Sequence, residues 1–283
     1  MARWNLAIAY EMFCKAEKSS PLALKKLTQK IGLSAKEPAV WKKIASRITI
    51  KVGKDKLIEQ FDGFFKKRKV EITSWDENSI PIITEKLTPR DYAKTQLVKQ
   101  GDVIIFLYLL SDAFSLKAKI KNYQYYLERT IHRSSLSVPT YAIMAADVGD
   151  RNKAYRFFNV ALHTDLSNLH GNTSVGIHIA SIGGTWQILI NGFAGVRIEK
   201  GILSINPKLP GMWRKILFSL RWRGRLLKWE AKNNAVRVRL ISPEKKKGKV
   251  KIKVFGVPHE LSGNKTFDFK RRKGAEEKKT YYL

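Results

Sequence analysis

Apolar side chains recur at three- and four-residue spacing through the first part of the chain, the period of helices with one buried face. Ala2 to Lys18 and Leu22 to Ile31 carry it first. Ser34 followed by Glu37 has the spacing of a capping box and predicts a third helix through Trp41, Ile44 and Ile48. From Ile50 to Thr88 the period is lost. Gly53, Gly63, Pro81 and many charged residues predict a long irregular excursion with short strands such as Lys69 to Thr73. Helical signals return at Thr88-Pro-Arg-Asp91, with Thr as cap, Pro in the first turn and an acid behind it. Val98 to Leu110 is nearly all apolar after Asp102, which predicts a helix buried on most sides. Ser115 caps the next, which carries Tyr123 and Tyr126. Ser135–Val148 and Asp150–Leu166 predict a helical pair joined at Gly149, with Ala154, Phe157, Phe158, Ala161 and Leu162 on one stripe. A last helix spans about Ser174 to Asn191, thinned or broken at Gly183-Gly184.

After Gly192 the period becomes two, the alternation of strands with one buried face. Val196–Ile205, Ile216–Trp222, Leu226–Glu230, Val236–Ile241 and Val250–Phe255 read as antiparallel strands joined by short turns, with Asn206-Pro-Lys-Leu-Pro210 as a rigid connector. The chain is therefore mainly α with a β appendage. Residues 1–194 form the helical part and 195–283 a small antiparallel β-domain. Helices in antiparallel pairs point to a bundle or an α/α toroid.

Composition narrows the class. A chain of 283 residues with 44% apolar side chains and seven Trp can bury a large core, which excludes disorder. The longest apolar run, Val103 to Leu110, falls far short of the ~20 residues that span a bilayer. Met1 to Leu6 lacks the order of a signal peptide. A single cysteine, Cys14, excludes an internal disulfide and a cysteine-based zinc site, and reads as a buried structural thiol. A cytoplasmic location is expected, with no membrane partner.

The formal charge of +30 ordinarily points to nucleic acid, but its distribution matters more than its size. In the densest run, Glu244 to Val254, Val250, Ile252 and Val254 alternate with Lys249, Lys251 and Lys253, which predicts a solvated lysine face on a hairpin. Lys270 to Lys273 reads as a loose end. Binding to nucleic acid is expected to be non-specific at most.

Two segments carry chemistry. Thr130-Ile-His-Arg-Ser-Ser-Leu-Ser137 clusters hydroxyls where a helix begins, and Gly176-Ile-His-Ile-Ala-Ser-Ile-Gly-Gly-Thr-Trp186 sets a histidine five residues before a glycine pair. Helix-start N–H groups, serine hydroxyls and an imidazole are what a small oxyanion such as phosphate needs. Each feature has a plainer rival: Ser134 and Ser135 as helix caps, His178 as a core histidine, Lys99 as a surface lysine, Gly183 and Gly184 as a close helix contact. His132 reads as structural.

These segments, with Val98-Lys-Gln-Gly-Asp-Val103, Asn122-Tyr-Gln-Tyr-Tyr126 and Gly192-Phe-Ala-Gly-Val-Arg197, occur in one order. Together they resemble glycoside hydrolase family 65, the kojibiose, maltose and trehalose phosphorylases. Gln60-Phe-Asp-Gly-Phe64 and Met1 to Leu6 match upstream parts of the same family, so the resemblance covers essentially the whole chain. It implies a partial (α/α)6 barrel followed by a small antiparallel β-sandwich domain. The implied reaction is inverting phosphorolysis of an α-linked disaccharide to β-glucose 1-phosphate, with inorganic phosphate as co-substrate and no cofactor. The implied phosphate site is Ser134, Ser135 and His178, with the backbone near Gly183 and Gly184 assisting; Lys99 and Gln100 match the sugar-binding pair.

The family's general acid is a glutamate just upstream of the stretch that Met1 to Leu6 resembles, so this chain is expected to lack it. None of its carboxylates can be nominated as a replacement from position. Locally, Leu127 replaces a usual glutamate after the paired tyrosines, which puts acceptor-sugar recognition in question. Arg133 replaces a common aspartate and adds positive charge beside the serines. Three readings follow. The chain is the C-terminal piece or subunit of a phosphorylase, completed by a separate polypeptide carrying the upstream half of the barrel; it is a non-catalytic phosphate- or sugar-binding remnant; or it is a basic nucleic-acid-binding protein on an old scaffold. A half barrel exposes helix faces that are otherwise buried, so homo-oligomers are expected of the chain alone.

Overall fold

A computed structural model describes residues 1–78, 80–83, 86–132, 134–243 and 248–272. The chain divides into two compact units, Met1–Gly53 and the part that begins at Lys54. In the first unit, α1 (Ala2–Ser19) packs on α2 (Pro21–Ile31) and α3 (Glu37–Arg47). Pro21 opens α2, and Gly32, at φ +67°, closes it in the left-handed conformation. The expected capping box does not form. The Ser34 carbonyl accepts from the Glu37 N–H at 3.2 Å, and no side chain caps α3. Pro38, whose ring fixes a first-turn φ, sets the start at Glu37 and leaves Ser34 outside the helix. Cys14 is half-buried where full burial was expected.

The second unit opens with the irregular stretch. Lys69–Thr73 forms no strand; the pairing falls instead on β1 (Ser74–Trp75) and β2 (Pro81–Ile82), two residues each. Thr88 and Asp91 cap α4 (Pro89–Tyr92) reciprocally. The Asp91 N–H donates to Thr88 Oγ1 at 3.3 Å and the Thr88 N–H to Asp91 Oδ2 at 3.0 Å. Four helices then enclose the main core: α5 (Asp102–Leu109), α6 (Leu116–Leu127), α7 (Ser137–Val148) and α8 (Arg151–His163). Ser115 caps α6 by accepting from the Ala118 N–H at 3.2 Å. Gly149, at φ +92°, ends α7, and Asp150 caps α8.

Helix α7 runs through the centre, with every residue from Ser137 to Ala146 buried. Helix α8 lays Ala154, Phe157, Phe158 and Ala161 against it, whereas Leu162 is exposed, replaced on the stripe by Val160. Helix α5 starts later than expected and is less enclosed, since Ile105 and Leu109 are exposed. The glycine pair does not break its helix. α9 (Ile179–Gln187) passes through Gly183-Gly184 and widens into a π-helical turn at Ile188–Phe193.

The β region is a sandwich. One sheet has the order β10-β7-β6-β5, from β5 (Ile216–Trp222), β6 (Arg225–Ala231), β7 (Ala235–Ile241) and β10 (Thr266–Lys270). The other is β3-β4-β8-β9, from β3 (Arg197–Glu199), β4 (Ile202–Ile205), β8 (Val250–Val254) and β9 (Val257–Leu261). Between them Leu227, Trp229, Val238 and Leu240 meet Leu203, Ile205, Ile252 and Val254. The sheets are not wholly antiparallel. β4 pairs β8 in parallel, because the chain crosses to the other sheet and returns between them. Lys249 and Lys251 face outward beside Glu260, as the alternation required; residues 244–247 lie outside the described part. Of the run read as a loose end, Lys270 closes β10 and Arg271 donates to Asn206 Oδ1 at 2.8 Å, while Lys273 is outside the described residues.

Charge joins the helical layer to the sandwich. Asp147 on α7 accepts from Arg197 Nη2 at 2.7 Å, and Lys119 lies 3.9 Å away. Burial pushes the Asp147 carboxyl up, but Arg197, Lys119 and Lys208 outweigh it and hold it below the usual carboxylate range. Gly195, at φ +64°, sits where an added Cβ would lie 2.1 Å from the Asn206 carbonyl oxygen, so only glycine fits this crossing. Among the described residues no helix is long and apolar enough to cross a membrane.

Candidate anion-binding site

The site forms where three separate stretches of the second unit meet. The first is Val98–Gly101, which bends at Lys99 and Gln100 before α5. The Val98 N–H donates to the Arg129 carbonyl at 2.8 Å and the Ile131 N–H donates back to Val98 at 2.9 Å. This short parallel bridge lays Lys99 and Gln100 beside the second stretch, His132 to Leu136. There Gln100 Nε2 donates to Ser134 Oγ at 3.1 Å. The Ser137 N–H closes a turn on the Ser134 carbonyl at 2.9 Å, and neither Ser134 nor Ser135 caps α7 with its side chain. Their hydroxyls are thereby left to other partners. Arg133 lies outside the described residues.

The third stretch follows α8. Asp165 holds His178 at two points: Oδ2 accepts from the His178 N–H at 2.9 Å and Oδ1 from ring Nδ1 at 2.6 Å. The His178 hydrogen bond is the main reason the Asp165 carboxyl stays below the ordinary carboxylate range. The His170 ring stands 5.6 Å from that of His178; burial and the neighbouring imidazole push it down.

Lys99, Ser134, Ser135 and His178 line one cavity of about 480 Å³, with His132, His170 and the tip of the β1–β2 hairpin on its other walls. Asp76 on that hairpin is the carboxylate among the lining residues, and its Oδ1 already accepts from the Asn78 and Ile80 N–H groups. Lys99 also borders a second cavity of about 360 Å³, with Gln60, Gln100 and Asp102. Across it Gln60 Nε2 donates to Asp102 Oδ2 at 2.9 Å.

Gly183 and Gly184 do not line either cavity. Gly184 lies where a Cβ would come 2.7 Å from Pro139 Cβ, so it lets α9 approach α7; Gly183 faces open space. His132 is fully buried at φ +50°, with Nδ1 2.9 Å from Ser137 Oγ and its ring edge-on to Tyr141. Its Nε2 is buried without a hydrogen-bond partner among the described residues, and burial drives its pKa down to about 3. Leu127 packs against the helical core. Sequence reasoning missed Asp165, His170 and Asp76. Nothing local marks them, since their relevance comes from which segments lie beside them.

The sequence model of the Glycosyl hydrolase family 65 central catalytic domain matches residues 1–187, and that of the family's C-terminal domain matches 196–261. A kojibiose phosphorylase of Caldanaerobacter subterraneus subsp. tengcongensis is 40% identical over 90% of this chain and 33% of its own length. An alpha,alpha-trehalose phosphorylase of Geobacillus stearothermophilus is 33% identical over 93% of the chain and 34% of its own. A solved structure, described as a putative kojibiose phosphorylase from human microbiome, superposes with a TM-score of 0.76 at 31% identity, over 94% of this chain and 37% of that one. The chain thus spans about a third of the length of the curated relatives it matches. On sequence and on fold alike, this chain belongs to glycosyl hydrolase family 65.

Proposed function

We propose that this chain carries the phosphate side of an inverting disaccharide phosphorylase, cleaving an α-linked glucoside such as kojibiose, maltose or trehalose to β-glucose 1-phosphate. The observation that carries this reading is the convergence of Lys99, Ser134, Ser135 and His178 on one cavity. Gln100 spends an N–H on Ser134 Oγ, which leaves the Ser134 hydroxyl hydrogen for a ligand oxygen. Ser135 adds a second hydroxyl, and Lys99 adds positive charge between the two cavities. In this reading phosphate sits among the serines and His178, and the glucosyl unit on the Lys99–Gln100 side.

A phosphate oxygen attacks the anomeric carbon from the face opposite the glycosidic oxygen. The new carbon–oxygen bond forms as the bond to the leaving sugar breaks, and an acid passes its proton to the leaving oxygen. Phosphate is already an anion, so no base is required and the site's task is to hold its charge. Inorganic phosphate is the co-substrate, and the reaction needs no other cofactor. In this reading the proton comes from a glutamate of the barrel's upstream half, on the same or on a separate polypeptide.

The test combines this chain with a polypeptide carrying the upstream part of a family 65 catalytic domain, in the presence of phosphate and each of the three disaccharides. Phosphate-dependent release of β-glucose 1-phosphate from one of them is the expected result. Phosphate binding without release from any disaccharide would favour the non-catalytic remnant. A chain that binds no phosphate and releases no product removes the reading. Steep salt-dependent DNA binding would then favour the nucleic-acid alternative.

A further inference from the structure

His178 is held at two points, unlike Ser134, Ser135 and Lys99 beside it in the cavity. Serine hydroxyls rotate and Lys99 is long, but the His178 ring has one orientation fixed by a carboxylate that grips both its backbone N–H and its Nδ1. Asp165 itself does not line the cavity. It stands behind the imidazole, close to the end of α8, and the His170 ring packs against His178 as well. A carboxylate accepts only, so with Asp165 ionised the His178 Nδ1 must carry a proton. The remaining ring nitrogen, Nε2, is then the one left for a ligand.

We propose that Asp165 is a positioning residue for phosphate, fixing His178 in the tautomer and orientation that present Nε2 to the anion. This rests on the reading of the cavity as a phosphate site. One consequence concerns the proton. With Nδ1–H committed to Asp165, a neutral His178 has only a lone pair at Nε2, so a proton must lie between Nε2 and the phosphate oxygen it meets. That proton comes from the anion's own P–OH, or the ring already bears it. Without Asp165 the ring can turn, or carry its proton on Nε2 with Nδ1 left over. The contact then competes with other arrangements. The same logic lets an acid behind a catalytic imidazole set its tautomer.

The test uses the full chain, with inorganic phosphate as the probe and heteronuclear NMR of the histidine ring nitrogens as the second readout. In the unaltered protein His178 is expected as the Nδ1–H tautomer. Asp165→Ala is expected to move it to the Nε2–H form and to weaken phosphate about ten- to a hundredfold, the worth of one hydrogen bond to a charged group. Asp165→Asn keeps the shape and one acceptor, so it should recover part of both. The His132 signals, from a buried ring bonded to Ser137, serve as the control for the fold. An unaltered protein already in the Nε2–H form, or an Asp165→Ala protein with unchanged tautomer and affinity, would overturn the proposal. So would lost affinity with the His178 tautomer intact, which is what a merely structural role produces. If the unaltered chain binds no phosphate, the phosphate reading fails by itself, and the tautomer measurement still decides whether Asp165 governs His178.

Discussion

His132 shows how one side chain can carry information the sequence hides. It lies two residues before a serine pair and reads as structural, but its neighbours give no measure of how deeply it is buried. The fold buries it between Tyr141 and Phe157 and drives its pKa from 6.5 to about 3. Burial is the main cause and Lys153 adds to it. A depressed histidine leaves the unfolded chain binding the extra proton between those two values. Stability therefore falls as the pH drops from about 6.5 towards 3, and the loss is complete below the folded value. Thermal unfolding followed across this range should show that decline, and His132→Phe should flatten it. An unchanged slope in the variant would place the dependence elsewhere. Asp165 works in the same sense at lower pH, because its depressed carboxyl contributes above its unfolded value and stops doing so as it is protonated.

At the scale of elements, caps and periods were legible where the signal was local. Ser115, Asp150, Gly149 and the Thr88–Asp91 pair do what their positions predict. The failures have tertiary or steric causes. Ser34 lost its role to Pro38, and the apolar run before Leu110 proved shorter and more exposed as a helix. The glycine pair is the sharpest case, for its two members face different surroundings. Gly184→Ala would press a methyl into Pro139 and should cost roughly 1–3 kcal/mol. Gly183→Ala meets open space and should gain up to ~1 kcal/mol from helix propensity. Urea unfolding of the two variants checks the contrast; equal effects would mean that the α7–α9 contact is looser than described.

For the molecule as a whole, the region beside the cavity is unusual. Leu166, Val175, Ile177, Ile179, Ile182 and Trp186 are all more than half exposed along the approach to α9 and on α9 itself. Apolar surface of this kind is rare on a monomer and drives association. The chain purified alone should self-associate with rising concentration, read by light scattering coupled to size exclusion. Ile179→Lys should reduce it, whereas added salt should strengthen it if apolar burial is the cause. Association that weakens with salt and persists in the variant would assign it to the +30 charge instead.

The amino-acid order by itself determined most of the helices and the five strand segments from Val196 to Phe255, but not β1, β2, β9 or β10. It also determined the shift between them near Gly192 and the family to which the motifs belong. Those features rest on neighbours a few residues apart, so the local pattern records them. The convergence of Lys99 with Ser134 and His178, the clamp from Asp165, the parallel pairing of β4 with β8 and the Arg197–Asp147 joint were decided only by tertiary structure. Each joins residues far apart along the chain. Their proximity follows from how whole elements pack, which no short window of sequence contains.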